Sequence, residues 1–130
     1  MCKRILIVED EGISALYLEA KVQSLGYESV GITSSGEEAI EKARVARPNR
    51  VLMDIKLAGN LDGIEAGDKI QKDLGIPVVY LSPFSDEETI ARAKGTAPFG
   101  YLTKPFQESA LRSTIEMALE KDAVRRQLEE

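Results

Sequence analysis

The sequence predicts an α/β fold class, with one parallel sheet covered by helices on both faces. The chain has 130 residues, a length that suits one domain. Its 43% hydrophobic and 30% charged residues are typical of a globular protein with a substantial core. Short apolar runs alternate five times with longer segments of helical period. Such an alternation predicts strand–helix units and a parallel sheet.

The five predicted strands are continuous or β-branched apolar runs, as expected of strands that are buried on both faces. They are Ile5–Val8, Ser29–Ile32, Val51–Met53, Pro77–Leu81 and Phe99–Leu102. Right-handed crossovers restrict such strands to doubly wound topologies. For five strands the predicted topology is the flavodoxin-like order 2-1-3-4-5, which binds ligands beyond the carboxyl ends of the strands near strands 1 and 3.

Apolar stripes at helical spacing follow the first, second, third and fifth strands. The stripes are Ala15, Leu18, Val22 and Leu25; Ala39, Ala43 and Ala46; Ile64, Gly67, Ile70 and Leu74; and Leu111, Ile115 and Ala118. Gly26, Pro48 and Gly75 follow the first three of these helices as end signals. At the helix starts, Ser35 with Glu38 and Ser85 with Glu88 have the spacing of capping boxes, and Asp62 is the expected N-cap of the third helix.

The last helix continues beyond the domain that it completes. We predict a domain over residues 1–120 and a helical extension over residues 121–130, which are mostly charged. Met117, Val124 and Leu128 fall on a coiled-coil seam of barely two heptads. Three interpretations stay open: a solvated tail, a linker helix to an output domain outside this chain, and a helix that pairs two copies.

Composition excludes several classes of chemistry. The chain has no histidine, which excludes Ser-His-Asp and Cys-His catalysis and His-ligated zinc or iron. The single cysteine, Cys2, excludes an internal disulfide. A net charge of −5 without a basic stripe argues against direct nucleic-acid binding. No apolar run reaches the length of a signal core or a membrane span, so we expect a cytoplasmic protein that does not bind membranes.

Polar side chains directly follow four of the predicted strands, on the edge where this topology binds ligands. They are Glu9 and Asp10 after strand 1, Asp54 after strand 3, Ser82 after strand 4 and Lys104 after strand 5. Three carboxylates in one pocket repel one another, which favours a hard dication such as Mg²⁺. A hydroxyl and an ammonium can bind phosphoryl oxygens. Each residue alone is better explained as a helix cap or a surface side chain, but together they favour a carboxylate, Asp54, that accepts a phosphoryl group.

The same segments resemble the receiver domain of two-component response regulators, the CheY-like family, from about Lys3 to Leu119. The matching segments, in chain order, are Ile5–Glu11, Val51–Asp54, Leu61–Gly63, Leu81–Ser82 and Gly100–Phe106. The resemblance implies that a partner histidine kinase or phosphotransfer protein phosphorylates Asp54. It also implies a Mg²⁺ site in which Asp10 and Asp54 bind directly, Glu9 binds through water and the backbone carbonyl of Lys56 completes the protein ligands.

The resemblance further implies a two-state switch. Lys104 would pair with the phosphoryl group, its bond to Pro105 would be cis, Ser82 would move toward the phosphate and Tyr101 would turn inward behind it. The face made by helix 4, strand 5 and helix 5 would then change, either for output or for homodimerisation, and the C-terminal helix offers a second route to a homodimer. Pro83 departs from the family pattern, because a small residue there normally donates its N–H to the phosphoryl group and proline has none. We therefore expect a pocket with one donor fewer and a stiffer loop.

Two other functions would use the same residues. A Mg²⁺-dependent phosphohydrolase would need a second acid two residues after the nucleophile, where this chain has Lys56, and a cap for which it has no room. A receiver-like interaction module that works without phosphorylation is the remaining alternative. Pro83 and the extended last helix favour that alternative.

Overall fold

The computed structural model describes residues 3–57, 61–82, 87–96, 98–104 and 107–117, and over these residues strands and helices alternate. The elements are β1 (Arg4–Val8), α1 (Gly12–Ser24), β2 (Glu28–Thr33), α2 (Gly36–Ala46), β3 (Arg50–Asp54), α3 (Gly63–Lys69), β4 (Val78–Ser82), α4 (Glu87–Gly95), β5 (Gly100–Thr103) and α5 (residues 108–117). All strands are parallel, in the order β2-β1-β3-β4-β5. The predicted fold class and strand order are confirmed.

Each face of the sheet has its own hydrophobic core, because side chains alternate along every buried strand. One core lies under α2, α3 and α4, and it includes Val8, Met53 and Tyr80 from the strands. The other lies under α1 and α5, and it includes Ile7 and Leu52. β3 and β4 are buried along their whole length, which explains why their sequences are apolar without alternation.

The N-terminal ends of α2 and α3 are capped by side chains. The Oγ of Ser35 accepts a hydrogen bond from the N–H of Glu38 at 3.2 Å, which is one half of the predicted capping box, while the Glu38 carboxylate accepts from the hydroxyl of Ser35 rather than from its N–H. Asp62 does more than the N-cap role expected of it. It accepts from the N–H of Glu65 at 2.9 Å while the Glu65 carboxylate accepts from the N–H of Asp62 at 3.3 Å, so α3 begins with a full capping box.

The helix that begins with α3 does not keep one geometry to its end. Residues Ile70–Leu74 form a single π-helical turn, where the apolar spacing predicted a regular α-helix. Gly75 ends the turn in the left-handed region with φ +68°, as the glycine stop signal predicted. The expected cap at Ser85 and the helical extension over residues 121–130 lie outside the described residues.

None of the helices in the described part of the chain has the length and apolar character that crossing a membrane requires.

Candidate functional site

The polar residues that the sequence places after the strands meet at one edge of the sheet. The strand ladders align these ends, since Val8 of β1 is level with Met53 of β3, and Ser82 of β4 is level with Thr103 of β5. Backbone hydrogen bonds continue one step further. The N–H of Lys104 donates to the carbonyl of Ser82 at 2.8 Å. The side chains that follow the strands are therefore carried by rigid backbone.

Three carboxylates share this edge. Glu9, Asp10 and Asp54 each place an oxygen within 4.8 Å of the other two. Glu9 and Asp54 are only 3% and 6% exposed, whereas Asp10 is exposed to solvent. Two buried acids and one exposed acid form a cluster that reaches the surface at Asp10, and its oxygen donors are those that Mg²⁺ prefers.

Lys104 neutralises part of this charge. Its Nζ lies 2.8 Å from Oε1 of Glu9 and 3.3 Å from Oδ2 of Asp54. Since β4 separates β5 from β3, the lysine side chain passes over the end of β4 to reach both acids. Burial alone would lower the pKa of Lys104, but the hydrogen bond to Glu9 and the charges of Asp54 and Glu9 together raise it. Lys104 therefore remains an ammonium at neutral pH.

One oxygen of the Glu9 carboxylate could still bind a cation or a proton. Its second oxygen, Oε2, is buried and has no hydrogen-bond partner among the described residues. Burial raises the pKa of Glu9, and the nearby Asp54 raises it further, against the opposing effect of Lys104. An orphaned buried carboxylate oxygen, next to the exposed Asp10, is a feature that a divalent cation would satisfy. The residues present fit a Mg²⁺ site.

The backbone around Asp54 is held from two sides. Its Oδ1 accepts from the N–H of Lys56 at 3.2 Å, and the N–H of Gly63 donates to the carbonyl of Ile55 at 2.7 Å. Gly63 lies so close that a Cβ there would overlap the carbonyl oxygen of Asp54 and lie 2.7 Å from Cα of Ile55. In the sequence, Gly63 stands out only as part of the Leu61–Gly63 motif. The Asp-Gly pair at the start of α3 was the available signal for this close approach.

The remaining predicted residues are placed as follows. Ser82 is fully buried at the end of β4, between the ends of β3 and β5. Tyr101 of β5 is partly buried and packs against the core cluster that contains Tyr80 and Ala93. The side chain of Lys56 is exposed. Pro83 and Pro105, and with them the expected missing donor and cis bond, lie outside the described residues.

Comparisons with known proteins agree on one family. The family model of the response regulator receiver domain matches residues 5–116. The transcriptional regulatory protein PdtaR of Mycobacterium tuberculosis is 38% identical over 117 residues, which are 90% of this chain and 57% of that protein. The chemotaxis protein CheY of Thermotoga maritima is 32% identical over 110 residues, which are 84% of this chain and 91% of CheY.

A solved structure extends the similarity to three dimensions. The signal receiver domain of a modulated diguanylate cyclase from Desulfovibrio desulfuricans superposes with a TM-score of 0.90 at 38% identity, covering 96% of this chain and 99% of that one. Of the first curated relatives, this chain spans little more than half the length, as the 57% for PdtaR shows. The sheet order, the acidic edge with its lysine and these matches lead to one conclusion: the chain belongs to the receiver domain family of two-component response regulators.

Proposed function

We propose that the domain is a phosphoacceptor switch, in which Asp54 accepts a phosphoryl group, with Mg²⁺, from a partner histidine kinase or phosphotransfer protein. One observation carries the proposal. The nearly buried Asp54 carboxylate lies between the ammonium of Lys104 at 3.3 Å and the N–H of Lys56 at 3.2 Å, beside two further acids. A carboxylate that two donors hold in one orientation, next to acids that could bind a cation, is suited to act as a nucleophile.

The residues at this edge of the sheet would be sufficient for the phosphoryl transfer. A carboxylate oxygen of Asp54 attacks the phosphorus, the bond from phosphorus to the donor breaks, and the donor leaves with that electron pair. Lys104 would exchange part of its pairing with Asp54 for the phosphoryl oxygens, whose charge it offsets. Glu9, Asp10, Asp54 and the carbonyl of Lys56 would hold Mg²⁺, which supplies positive charge to the transferring group when bound. The domain would assist its own phosphorylation and dephosphorylation, and it would not be a classical enzyme.

The charge that phosphorylation adds at Asp54 would also affect residues away from the site. A phosphoryl group brings nearly two negative charges and several acceptor oxygens to a site bounded by Ser82 and Lys104. We infer that Ser82 moves to bind it and that Tyr101 follows, so that the surface formed by α4, β5 and α5 changes. That surface would act on a target or pair two copies, and the C-terminal helix is the other candidate for pairing.

The partner that delivers the phosphoryl group must contact the surface next to the acidic edge that holds Asp54. The helix that begins two residues after Asp10, α1, exposes Ile13, Leu16 and Tyr17, with Ile13 81% exposed. These apolar side chains share one side of the helix at spacings of three and four residues. We infer that the kinase or phosphotransfer protein docks there, which brings its phosphohistidine to Asp54.

Exposure to acetyl phosphate tests the proposal without any partner protein. With Mg²⁺ the protein should gain one phosphoryl group by intact mass, release acetate, and gain nothing in EDTA. Asp54→Asn should abolish the gain, and Asp73→Asn, an exposed aspartate of the π-helical turn, should not. Modification that persists in Asp54→Asn, or none in the wild type with Mg²⁺, would refute the proposal. Partner binding that is equal with and without the modification would favour the phosphorylation-independent interaction module.

A further inference from the structure

Within the described part of the chain, the helix α4 has only a small buried apolar face. Across Glu87–Gly95, Ala93 is the one buried residue. Helices in small domains are held mainly by a buried apolar face. Since α4 lacks a broad one, its position depends on other contacts, and the polar groups at its C-terminal end supply them.

Three side chains from three elements meet at that end. The hydroxyl of Tyr80, on β4, lies 3.0 Å from Oγ1 of Thr96 and 3.2 Å from the carbonyl of Ile64 on α3. Thr96 follows α4 directly, and its hydroxyl donates to the carbonyl of Ala93 at 2.8 Å. The amide of Gln71, in the π-helical turn, donates to the carbonyl of Thr96 at 2.8 Å and accepts from the N–H of Val78 at 3.1 Å. We call Tyr80, Thr96 and Gln71 the α4 latch.

The neighbouring backbone is adapted to the latch. Tyr80 is fully buried, and a Cβ at position 67 of α3 would lie 2.5 Å from its hydroxyl oxygen, so the glycine there leaves room for the ring. The hydrogen bond from Tyr80 to the carbonyl of Ile64 is buried and the other bonds of the latch are partly buried, so water competes with them less than at the surface. A second link between α4 and α3 is weaker. Arg92 pairs with Asp62 at 2.7 Å, but both side chains are substantially exposed.

We propose that the α4 latch holds α4 against α3 in the unmodified protein and sets the cost of moving α4 when Asp54 is modified. The inference rests on the proposed function for its second half, since it assumes that modification acts on α4. Tyr80 lies on the same strand as Ser82, two residues before it. A movement of Ser82 at the end of β4 would therefore take place two residues from Tyr80, the latch residue on that strand.

Hydrogen exchange of the α4 amides tests the inference. Tyr80→Phe and Thr96→Val keep the size of each side chain and remove its hydroxyl. The loss of one net hydrogen bond should speed exchange across α4 roughly 3- to 10-fold and leave α1 and α5 unchanged. Thr114→Val is the matched control. Its hydroxyl makes the same bond within a helix, to the carbonyl of Ala110 at 2.8 Å, but outside the latch, so α4 should keep its wild-type exchange rate.

Adding Mg²⁺ with beryllofluoride, a phosphoryl analogue, tests the second half. It should speed α4 exchange in the wild type, and the increment should shrink in the two latch variants, where α4 is already released. Unchanged α4 exchange in both variants would overturn the latch. Faster exchange with an undiminished beryllofluoride increment would overturn its link to the switch. If beryllofluoride alters no segment of the wild type, the proposed function and the regulatory half of the inference fail, while faster exchange in the variants would still establish the anchoring role.

Discussion

Gly63→Ala should damage both the fold and the acidic edge of the sheet. A Cβ at this position would overlap the carbonyl oxygen of Asp54 and lie 2.7 Å from Cα of Ile55 and 2.8 Å from the carbonyl carbon of Asp54. All three atoms belong to the backbone, so the clash is relieved only by moving the strand end or the start of α3. Overpacking of side chains costs about 1–3 kcal/mol, and we expect about 3 kcal/mol or more here. The gain in helix propensity, about 1 kcal/mol, is too small to offset that.

Two other glycines provide the comparison. Nothing lies within 4 Å of a Cβ at Gly12, so Gly12→Ala should be neutral or slightly stabilising. At Gly67 the obstacle is the side chain of Tyr80, at 2.5 Å, so Gly67→Ala should be destabilising and Tyr80→Leu should relieve part of that cost in the double variant. No substitution of a side chain can relieve Gly63→Ala.

Urea unfolding of the Mg²⁺-free proteins measures these differences in the free energy of unfolding. Acetyl phosphate acceptance measures the displacement of Asp54, and we expect Gly63→Ala to lower its rate more than the fold loss alone explains. Unfolding of Gly63→Ala at the same urea concentration as Gly12→Ala would contradict the backbone clash at position 63. Rescue of Gly63→Ala by Tyr80→Leu, to the extent that Tyr80→Leu rescues Gly67→Ala, would contradict it equally.

Three further predictions concern ionisation and metal. Burial penalises the charged form of Glu9 in the folded protein and so raises its pKa, and Glu9→Gln should therefore stabilise the Mg²⁺-free protein against urea at pH 7. This gain in the free energy of unfolding should vanish below pH 4.5, the ordinary pKa, because Glu9 is then protonated in both states. A gain that persists at lower pH would contradict the prediction. Burial raises the pKa of Tyr80 to about 12 from an ordinary 10, so stability should be full below pH 10 and fall by up to about 3 kcal/mol as the pH approaches 12; an identical fall in Tyr80→Phe would refute that assignment. Mg²⁺ should raise the thermal midpoint, and Asp10→Asn should weaken this effect; equal midpoint shifts in the two proteins would remove Asp10 from the metal site.

The fold and the residues of the edge could be predicted because they depend on local signals. Strands such as Val51–Met53 are apolar without interruption, and the acids come directly after them. Parallel pairing then brings every strand end to one side whatever the details of packing. The topology alone therefore predicted that Glu9, Asp54 and Lys104 would meet.

The close contacts could not be predicted, because they depend on distances between segments that are far apart in the chain. In the sequence, Gly63 and Gly67 look alike, because both are glycines of the same predicted helix. In the structure, Gly63 leaves room for the backbone of Asp54 and Ile55, whereas Gly67 leaves room for the ring of Tyr80. Tyr80 itself reads as an ordinary apolar strand residue, and only the fold shows its hydroxyl against Thr96. The π-helical turn likewise has no signature in the apolar spacing, which is compatible with a regular helix to Leu74.

The path of Lys104 across the end of β4 makes the charge balance of the acidic edge depend on the assembly of the whole sheet. Its ion pair with Glu9 joins residues 95 positions apart, and one partner follows the first strand while the other follows the last. The neutralised acidic edge therefore cannot exist until β5 has joined the sheet. A nascent chain that ends before residue 104, or a chain in which β5 has detached, carries Asp54 without the counter-charge of Lys104. The charge balance of the edge is thus a property of the assembled sheet, and a partly folded copy without β5 has the acids without the lysine.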